Sequence, residues 1–373
     1  MEQDVLVIGA GVQGCAVAWR LAQAGKRVLV FERAVPGAEA SSAAAGILSP
    51  GVEAEEPGPF YELCAASLAR YQEVADELER TTGIAVGYRG GGTLQVAFDD
   101  PTARVLAARA GKLERHGIAV EVLDGEAVLR LEPALDRRVR GGLWFRDEAS
   151  IDPRLLARAL YLAARKAGAQ FLAGQVARIV HASGRAAGVD HDRGRIEGSA
   201  VVLAAGAWSA SVEGSGLPPG AVRPVRGQIA LLEPRSPLLA RVTFSDKGYV
   251  VPRADGRVLC GSTMEEVGFE RAVTAGGLRS VLSLAIEMCP ALASAPVIET
   301  WNNFRPSSPD GWPVLGASSV PGLYYATGHT RNGILLCPIT ADAVAAAILG
   351  RPAPVDLAPF SVARLGTGRG AVE

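Results

Sequence analysis

The sequence predicts an α/β fold of the Rossmann-like kind into which a second, β-rich domain is threaded. Three observations carry this. Residues 4–33 run apolar strand, glycine turn, helix and second apolar strand; residues 222–305 change to short β-type runs; residues 323–350 return to a strand followed by a helix. The two kinds of stretch alternate without internal repeat or low-complexity linker, which fits two interleaved domains better than two consecutive ones.

Taken in order, "DVLVIGA" is a short apolar strand, "GVQGCAVAWRLAQAG" turns into a helix that Gly25 is placed to end, and "RVLVFER" is a second strand. Gly9, Gly11 and Gly14 form a G-x-G-x-x-G turn, and Glu32 ends the second strand 18 residues after Gly14. In a dinucleotide-binding unit the first glycine makes the tight turn and the second lets backbone approach a pyrophosphate. The third packs helix on strand, and the acid accepts ribose hydroxyls. A glycine-rich turn in some other α/β protein would explain the glycines, but not strand, helix, strand and acid falling together.

Residues 59–81 and 102–117 carry apolar side chains such as Leu63, Leu68, Val74 and Leu78 at helical spacing. Asp152-Pro153 opens a further helix as N-cap and first turn, and Gly168 follows its end. Strands then fill 171–205, ending in "AVVLAAGAWS", where Ala205-Gly206 lets backbone pass close to a ligand. From 222 to 305 "GQIALLE", "GYVVPR", "RVLCGST" and "VIETWNNFRP" read as strands, interrupted by a helix at 276–289. The strand "GLYYAT", a loop holding His329 and Arg331, and a helix closing at Gly350 complete the pattern.

A chain of 373 residues has room for two cores. Net charge is −1 and the pI about 6.5, so no basic field exists to hold nucleic acid or an anionic membrane. No run reaches the ~18–20 apolar residues of a membrane span; the nearest, 334–349, is interrupted by Pro338 and Asp342. The start, Met1-Glu2-Gln3-Asp4, is acidic where a secretion signal opens with positive charge, so a cytoplasmic chain is expected. Five single cysteines and four histidines show no ligand spacing, and no metal is expected.

The βαβ unit alone does not choose between dinucleotides. No second G-x-G-x-x-G follows it, and glycine-rich passes recur at 41–46, 204–206 and 326–333. A long cofactor touched by several distant segments needs such passes, which fits FAD. Together "VIGAGVQG", "SSAAAGIL", "GYVVPR", "FRPSSPDGWPVLG" and "GHTRNGILL" resemble the D-amino-acid-oxidase-like family of FAD amine oxidases, in particular its ThiO-type glycine oxidases of thiamine thiazole synthesis. The resemblance runs from the first strand to about residue 350.

It implies a discontinuous FAD-binding domain (1–85, 145–215 and 312–364) and a substrate domain (86–144 and 216–311) built on a large antiparallel sheet. Implied cofactor contacts are Gly9, Gly11, Val12, Gln13, Gly14, Glu32, Arg33, Ala40, Ser41 and Gly206, with Ala45, Gly46 and Ile47 along the flavin ring and the Val176 backbone at the adenine. His329, Thr330, Arg331, Asn332, Gly333, Ile334 and Leu335 would form a loop at the pyrimidine edge. There the last helix's N-terminus, with its partial positive charge, would meet the negative charge of reduction.

Arg305 aligns with the family's carboxylate-binding arginine; spacing alone would make it a surface loop residue. Tyr249 corresponds to a tyrosine that also meets the carboxylate, its alternative being an aromatic packed in the sheet. Arg331 would add substrate contact, and Met264 contacts the substrate pocket or is a core methionine. His329 reads as a FAD-loop residue first and a base second.

The implied activity is hydride transfer from the α-carbon of glycine, sarcosine or a small D-amino acid to FAD, by positioning and without a strong protein base. The products would be an imine or glyoxylate, ammonia and, with O2 as acceptor, H2O2. Residues 301–312 contain no cysteine, so FAD would be non-covalent. A homotetramer is the family expectation. Two positions depart from the family pattern: Ile47 where a methionine is familiar, and Lys247 where a histidine is. A methylene of pocket space is worth only about 1–3 kcal/mol, so the sequence does not rank the substrates. The alternatives are a D-amino-acid dehydrogenase of the same fold passing electrons to a carrier, a non-catalytic flavin-binding subunit and, least supported, an NAD dehydrogenase.

Overall fold

Two eight-stranded sheets organise the chain in the computed structural model, which describes residues 3–54 and 56–366. Residues 1 and 2 of the acidic start lie outside the described residues. In the first sheet Gln3–Ile8 lies parallel to Val28–Glu32 on one side and Gly194–Leu203 on the other. Gln170–Ala173 and Leu323–Thr327 extend it in parallel, and Val314–Ala317 closes one edge antiparallel.

Both faces of this sheet are covered, which is why its strands read as unbroken apolar runs. Val5, Val7, Val28, Val30 and Val202 pack into a core with Trp19, Leu21, Leu156, Leu160, Ile339 and Val344 of three helices, Val12–Gln23, Pro153–Lys166 and Cys337–Leu349. Leu6, Ile8, Leu29, Phe31 and Leu203 face the other way, into a core shared with the hairpin Val176–Ala182/Arg185–His191. Helix Pro153–Lys166 starts where the sequence places it: the Asp152 carboxylate accepts the N–H groups of Arg154 and Leu155.

The second sheet runs Val297–Ser307, Arg223–Leu232, Val258–Gly261, Gly248–Pro252, Val242–Ser245, Thr93–Ala97, Gly141–Phe145, Glu121–Asp124. It is antiparallel except where Val242–Ser245 meets Thr93–Ala97 in parallel. That joint arises because the two halves of the sheet come from separate parts of the chain and no hairpin links them. Helix Ala275–Met288 buries Val281, Leu284, Ala285 and Met288 against Val250, Val258 and Cys260 of this sheet. Ile229, Leu231, Phe244, Val251 and Leu259 form a separate cluster with Ala45 of the first domain's glycine-rich pass.

Two expectations change. The continuous helix over 59–81 is two helices, Pro59–Leu68 and Tyr71–Thr82. The break lets Ser67 and Tyr71 donate to the carbonyls of Leu335 and Ile334 in the turn before the last helix, while Arg70 swings to Asp342. The last helix begins at Cys337, after the loop of residues 329–335. The stretch between 86 and 150 holds short strands, Thr93–Ala97, Glu121–Asp124 and Gly141–Phe145, that periodicity does not reveal because only a few residues of each alternate. Among the described residues no helix is long and apolar enough to cross a membrane, and no group of three or more His, Cys, Asp or Glu could hold a metal.

One buried acid sits below the join of the two domains. Glu148 accepts the Gly51 N–H with one carboxylate oxygen, while the other has no partner among the described residues. Burial raises its pKa from 4.5 to about 8. Between these values the native state keeps a proton that the unfolded chain has released, so stability falls as pH rises through this window. Glu148→Gln keeps an acceptor oxygen and cannot ionise. We expect the variant to exceed the parent by ~2 kcal/mol at pH 8 in urea unfolding, with the gap closing toward pH 5. A gap independent of pH would contradict this.

Candidate functional site

A cavity of about 990 Å³ lies between the two sheets, at the C-terminal ends of the first sheet's parallel strands. This is where open α/β sheets hold ligands. The glycine turn shapes one end. Gly9 has φ +102°, and a Cβ there would stand 2.5 Å from the Ala204 carbonyl oxygen. A Cβ on Gly14 would stand 1.9 Å from the Gly9 carbonyl oxygen. Gly9, Gly11, Val12 and Gln13 line the cavity, whereas Gly14 lies behind it and holds the helix against the strand.

Helix Val12–Gln23 opens on Gly11 with no side-chain cap; the Val12 N–H meets the Ser41 hydroxyl at 3.0 Å. Glu32 accepts the N–H groups of Ala10 and Ala34, each at 2.9 Å, which fixes its carboxylate in the cavity wall with lone pairs to spare. Gln13 donates to the Gly333 carbonyl at 2.7 Å, and its Oε1 is buried without a partner among the described residues. A buried orphan acceptor at a cavity calls for a donor on the ligand. Ala40, Ser41, Ala45, Gly46, Ile47, Val176 and Gly206 line the wall as the glycine-rich passes suggest. A dinucleotide of FAD's length, with hydroxyl donors and a pyrophosphate, fits this cradle.

Sequence reasoning did not single out Trp208, whose ring carries the Arg33 guanidinium 3.7 Å from its centroid while Arg33 also pairs with Glu39. No local pattern marks that contact, since Arg33 and Trp208 belong to different strand ends.

The loop before the last helix differs from its electrostatic expectation. His329, Thr330, Arg331, Gly333 and Ile334 line the cavity; Asn332 and Leu335 do not. The Asn332 N–H turns back to the His329 carbonyl, and the Leu335 carbonyl accepts the Ser67 hydroxyl. Burial lowers the His329 pKa from 6.5 to about 3, and its Nε2 faces the Thr340 hydroxyl at 3.1 Å, so the imidazole is neutral. Arg331 alone carries charge there, and it is held by Glu53, with Nη2 at 2.8 Å and Nε at 3.1 Å from Oε2. The N–H groups at the start of the last helix find partners within the chain. The Leu336 and Cys337 N–H groups close the preceding turn, and the Ile339 N–H meets Ser67.

At the opposite end stands Arg305, on strand Val297–Ser307. Its Nη2 donates to the Ser262 hydroxyl at 2.6 Å and its Nη1 to the Thr263 carbonyl at 3.1 Å. Among the described residues no carboxylate lies within ion-pair distance of it. Burial pulls its pKa down, as does the nearby charge of Arg331, against the opposing influence of Tyr249 and Glu53. Arg305 is therefore no surface loop residue. Gly227 on the neighbouring strand makes its place: a Cβ there would stand 2.2 Å from Nη1. Only the pairing of the two strands reveals that need.

Tyr249 lines the same end, its ring edge-on to Phe244 at 5.5 Å, so it belongs to both sheet and cavity. Met264 is 54% exposed and lines the cavity, which removes the core alternative. Lys247 lines it too and pairs with Glu287 at 3.2 Å.

The family model for FAD-dependent oxidoreductases of the DAO type matches residues 4–347. A bifunctional ThiO/ThiG protein of a Synechocystis strain is 37% identical over 97% of this chain, but the chain spans about half of it, 54%. The glycine oxidase of Geobacillus kaustophilus is 33% identical, with 97% of each chain covered. Its crystal structure superposes with a TM-score of 0.93 over 97% of this chain and 98% of that one. The structure of an iminodiacetate oxidase from Chelativorans sp. is similar at a TM-score of 0.86 and 31% identity, covering 96% of this chain and 98% of that one.

Proposed function

Since the chain belongs to the DAO family of FAD-dependent oxidoreductases, we propose that it deaminates glycine and similar small amines such as sarcosine or small D-amino acids, to an imine or glyoxylate, ammonia and H2O2. The observation that carries this reading is Arg305, a desolvated guanidinium fixed by Ser262 and Thr263 and facing the cavity without a carboxylate partner among the described residues. A substrate carboxylate is the group that would satisfy it.

Bound FAD would supply the acceptor for the hydride of the substrate's α-carbon and the route of its electrons to O2. Glu32, Gln13, Ser41 and the glycine turn hold the cofactor; residues 1–85, 145–215 and 312–364 make up its domain in this reading. The protein's remaining part is alignment. Arg305 grips the carboxylate, the Tyr249 hydroxyl adds a second donor, and the apolar wall of Ile47, Ile229 and Phe244 keeps water from the α-carbon. His329, held neutral with its Nε2 on Thr340, is too weak a base to be required. Likeness to the fused ThiO/ThiG proteins supports supply of the imine to thiazole synthesis.

The test is oxygen uptake by the purified holoprotein on adding glycine, with sarcosine and D-proline beside it. Uptake with any of the three supports the oxidase. Bleaching of the flavin without oxygen consumption would favour a dehydrogenase of the same fold, and no bleaching by any amine would sink the carboxylate-site assignment.

A further inference from the structure

Both lysines at the substrate end of the cavity are paired with acids. Lys112 lies on Glu56 and Lys247 on Glu287. Arg109 donates to the Gln95 side chain and to the carbonyls of Gly51 and Ala54. Arg331 is gripped by Glu53, whose side chain is only 8% exposed and stands on the short helix Pro50–Glu53. Arg305 has no carboxylate within ion-pair distance among the described residues, and both Glu53 and Arg331 lie within electrostatic reach of it. Beside Arg305 the Arg331 guanidinium is already matched by Glu53, so a single substrate carboxylate is what Arg305 still calls for.

On the strength of the amine-oxidase reading above, we propose that Glu53 is a specificity-determining residue that restricts substrates to amines bearing a single carboxylate. It occupies Arg331, the group that would receive a second carboxylate, and its own anion repels one. Like charges brought together in a desolvated site are strongly disfavoured, so a residue of this kind excludes by repulsion as well as by occupancy. The short helix carrying Glu53 is anchored from below by the Gly51 N–H on Glu148 and from the side by Arg109 on the Gly51 and Ala54 carbonyls. Its carboxylate is therefore held in place and is not a loose surface group.

The test uses two ethers that cannot be deaminated and differ by one carboxylate. Methoxyacetate is the isostere of sarcosine, and diglycolate that of iminodiacetate. Their binding to the holoprotein is read from perturbation of the flavin spectrum, and kcat/KM is measured for sarcosine and iminodiacetate. The parent should prefer methoxyacetate. Glu53→Gln should move the ratio of the two dissociation constants toward diglycolate by on the order of tenfold or more, and the kcat/KM ratio in the same direction. Adding Arg331→Leu should erase that gain. Arg331→Leu alone should move the ratio the opposite way, since Glu53 is then not neutralised by it; this variant serves if Glu53→Gln fails to hold FAD. An unchanged ratio in the single variants, or a gain that survives in the double variant, would overturn the assignment of Glu53. If neither acid perturbs the flavin in any protein, the carboxylate site itself is wrong and both readings fall.

Discussion

Replacing Arg305 by leucine is expected to leave FAD bound and to lower kcat/KM for glycine by ~10²–10³-fold. The size follows from the geometry. Arg305 is desolvated and already oriented by the Ser262 hydroxyl and the Thr263 carbonyl, so its remaining N–H groups meet a carboxylate without reorganising. Losing one partner of a buried, hydrogen-bonded charge pair costs about 2–5 kcal/mol of binding. The same burial makes a second prediction of opposite sign. Without substrate the guanidinium has no carboxylate among the described residues, so leucine removes a desolvation penalty and the unliganded protein should melt at the same temperature or higher. Steady-state kinetics beside a thermal melt separate the two. A variant that loses FAD and melts lower would show Arg305 to be structural, held for the sake of the strand pair it shares with Arg223–Leu232.

Gly14→Ala acts at the other end of the cavity and should abolish FAD binding. The added Cβ would stand 1.9 Å from the Gly9 carbonyl oxygen, a backbone atom that no side-chain rotation can move aside. Relief requires lifting the helix Val12–Gln23 off the first strand. That displaces Gly11 and Gln13 in the cavity wall and disturbs the core around Val7, Val17 and Leu21. Overpacking of this kind costs about 1–3 kcal/mol where neighbours can give, and more where they are backbone. The ratio of flavin to protein absorbance and the urea midpoint read the two effects. Retention of stoichiometric FAD would mean that the turn adapts and that the third glycine is not required for helix packing.

Much of the cofactor end was legible in the chain because its instructions are local. The glycine turn, the flanking strands and Glu32 lie within one stretch of about thirty residues, and Asp152-Pro153 caps its own helix. Periodicity and capping concern residues a few positions apart, and these determine an element before anything packs on it. The family resemblance then supplied Arg305 and Tyr249, which spacing alone left as an ordinary loop arginine and a strand tyrosine.

What the sequence by itself determined is the βαβ cradle, the alternation of two kinds of sheet and the need for a long cofactor touched at distant points. The tertiary structure alone decided the charges. Arg331 meets Glu53 across 278 residues, Gly227 clears space for Arg305 on a neighbouring strand, and the Arg33 guanidinium settles on Trp208. His329, in a loop that reads as electropositive, is neutral because burial removes the water that would solvate its cation. Desolvation and pairing depend on what surrounds a group in space, and no spacing along a chain carries that information.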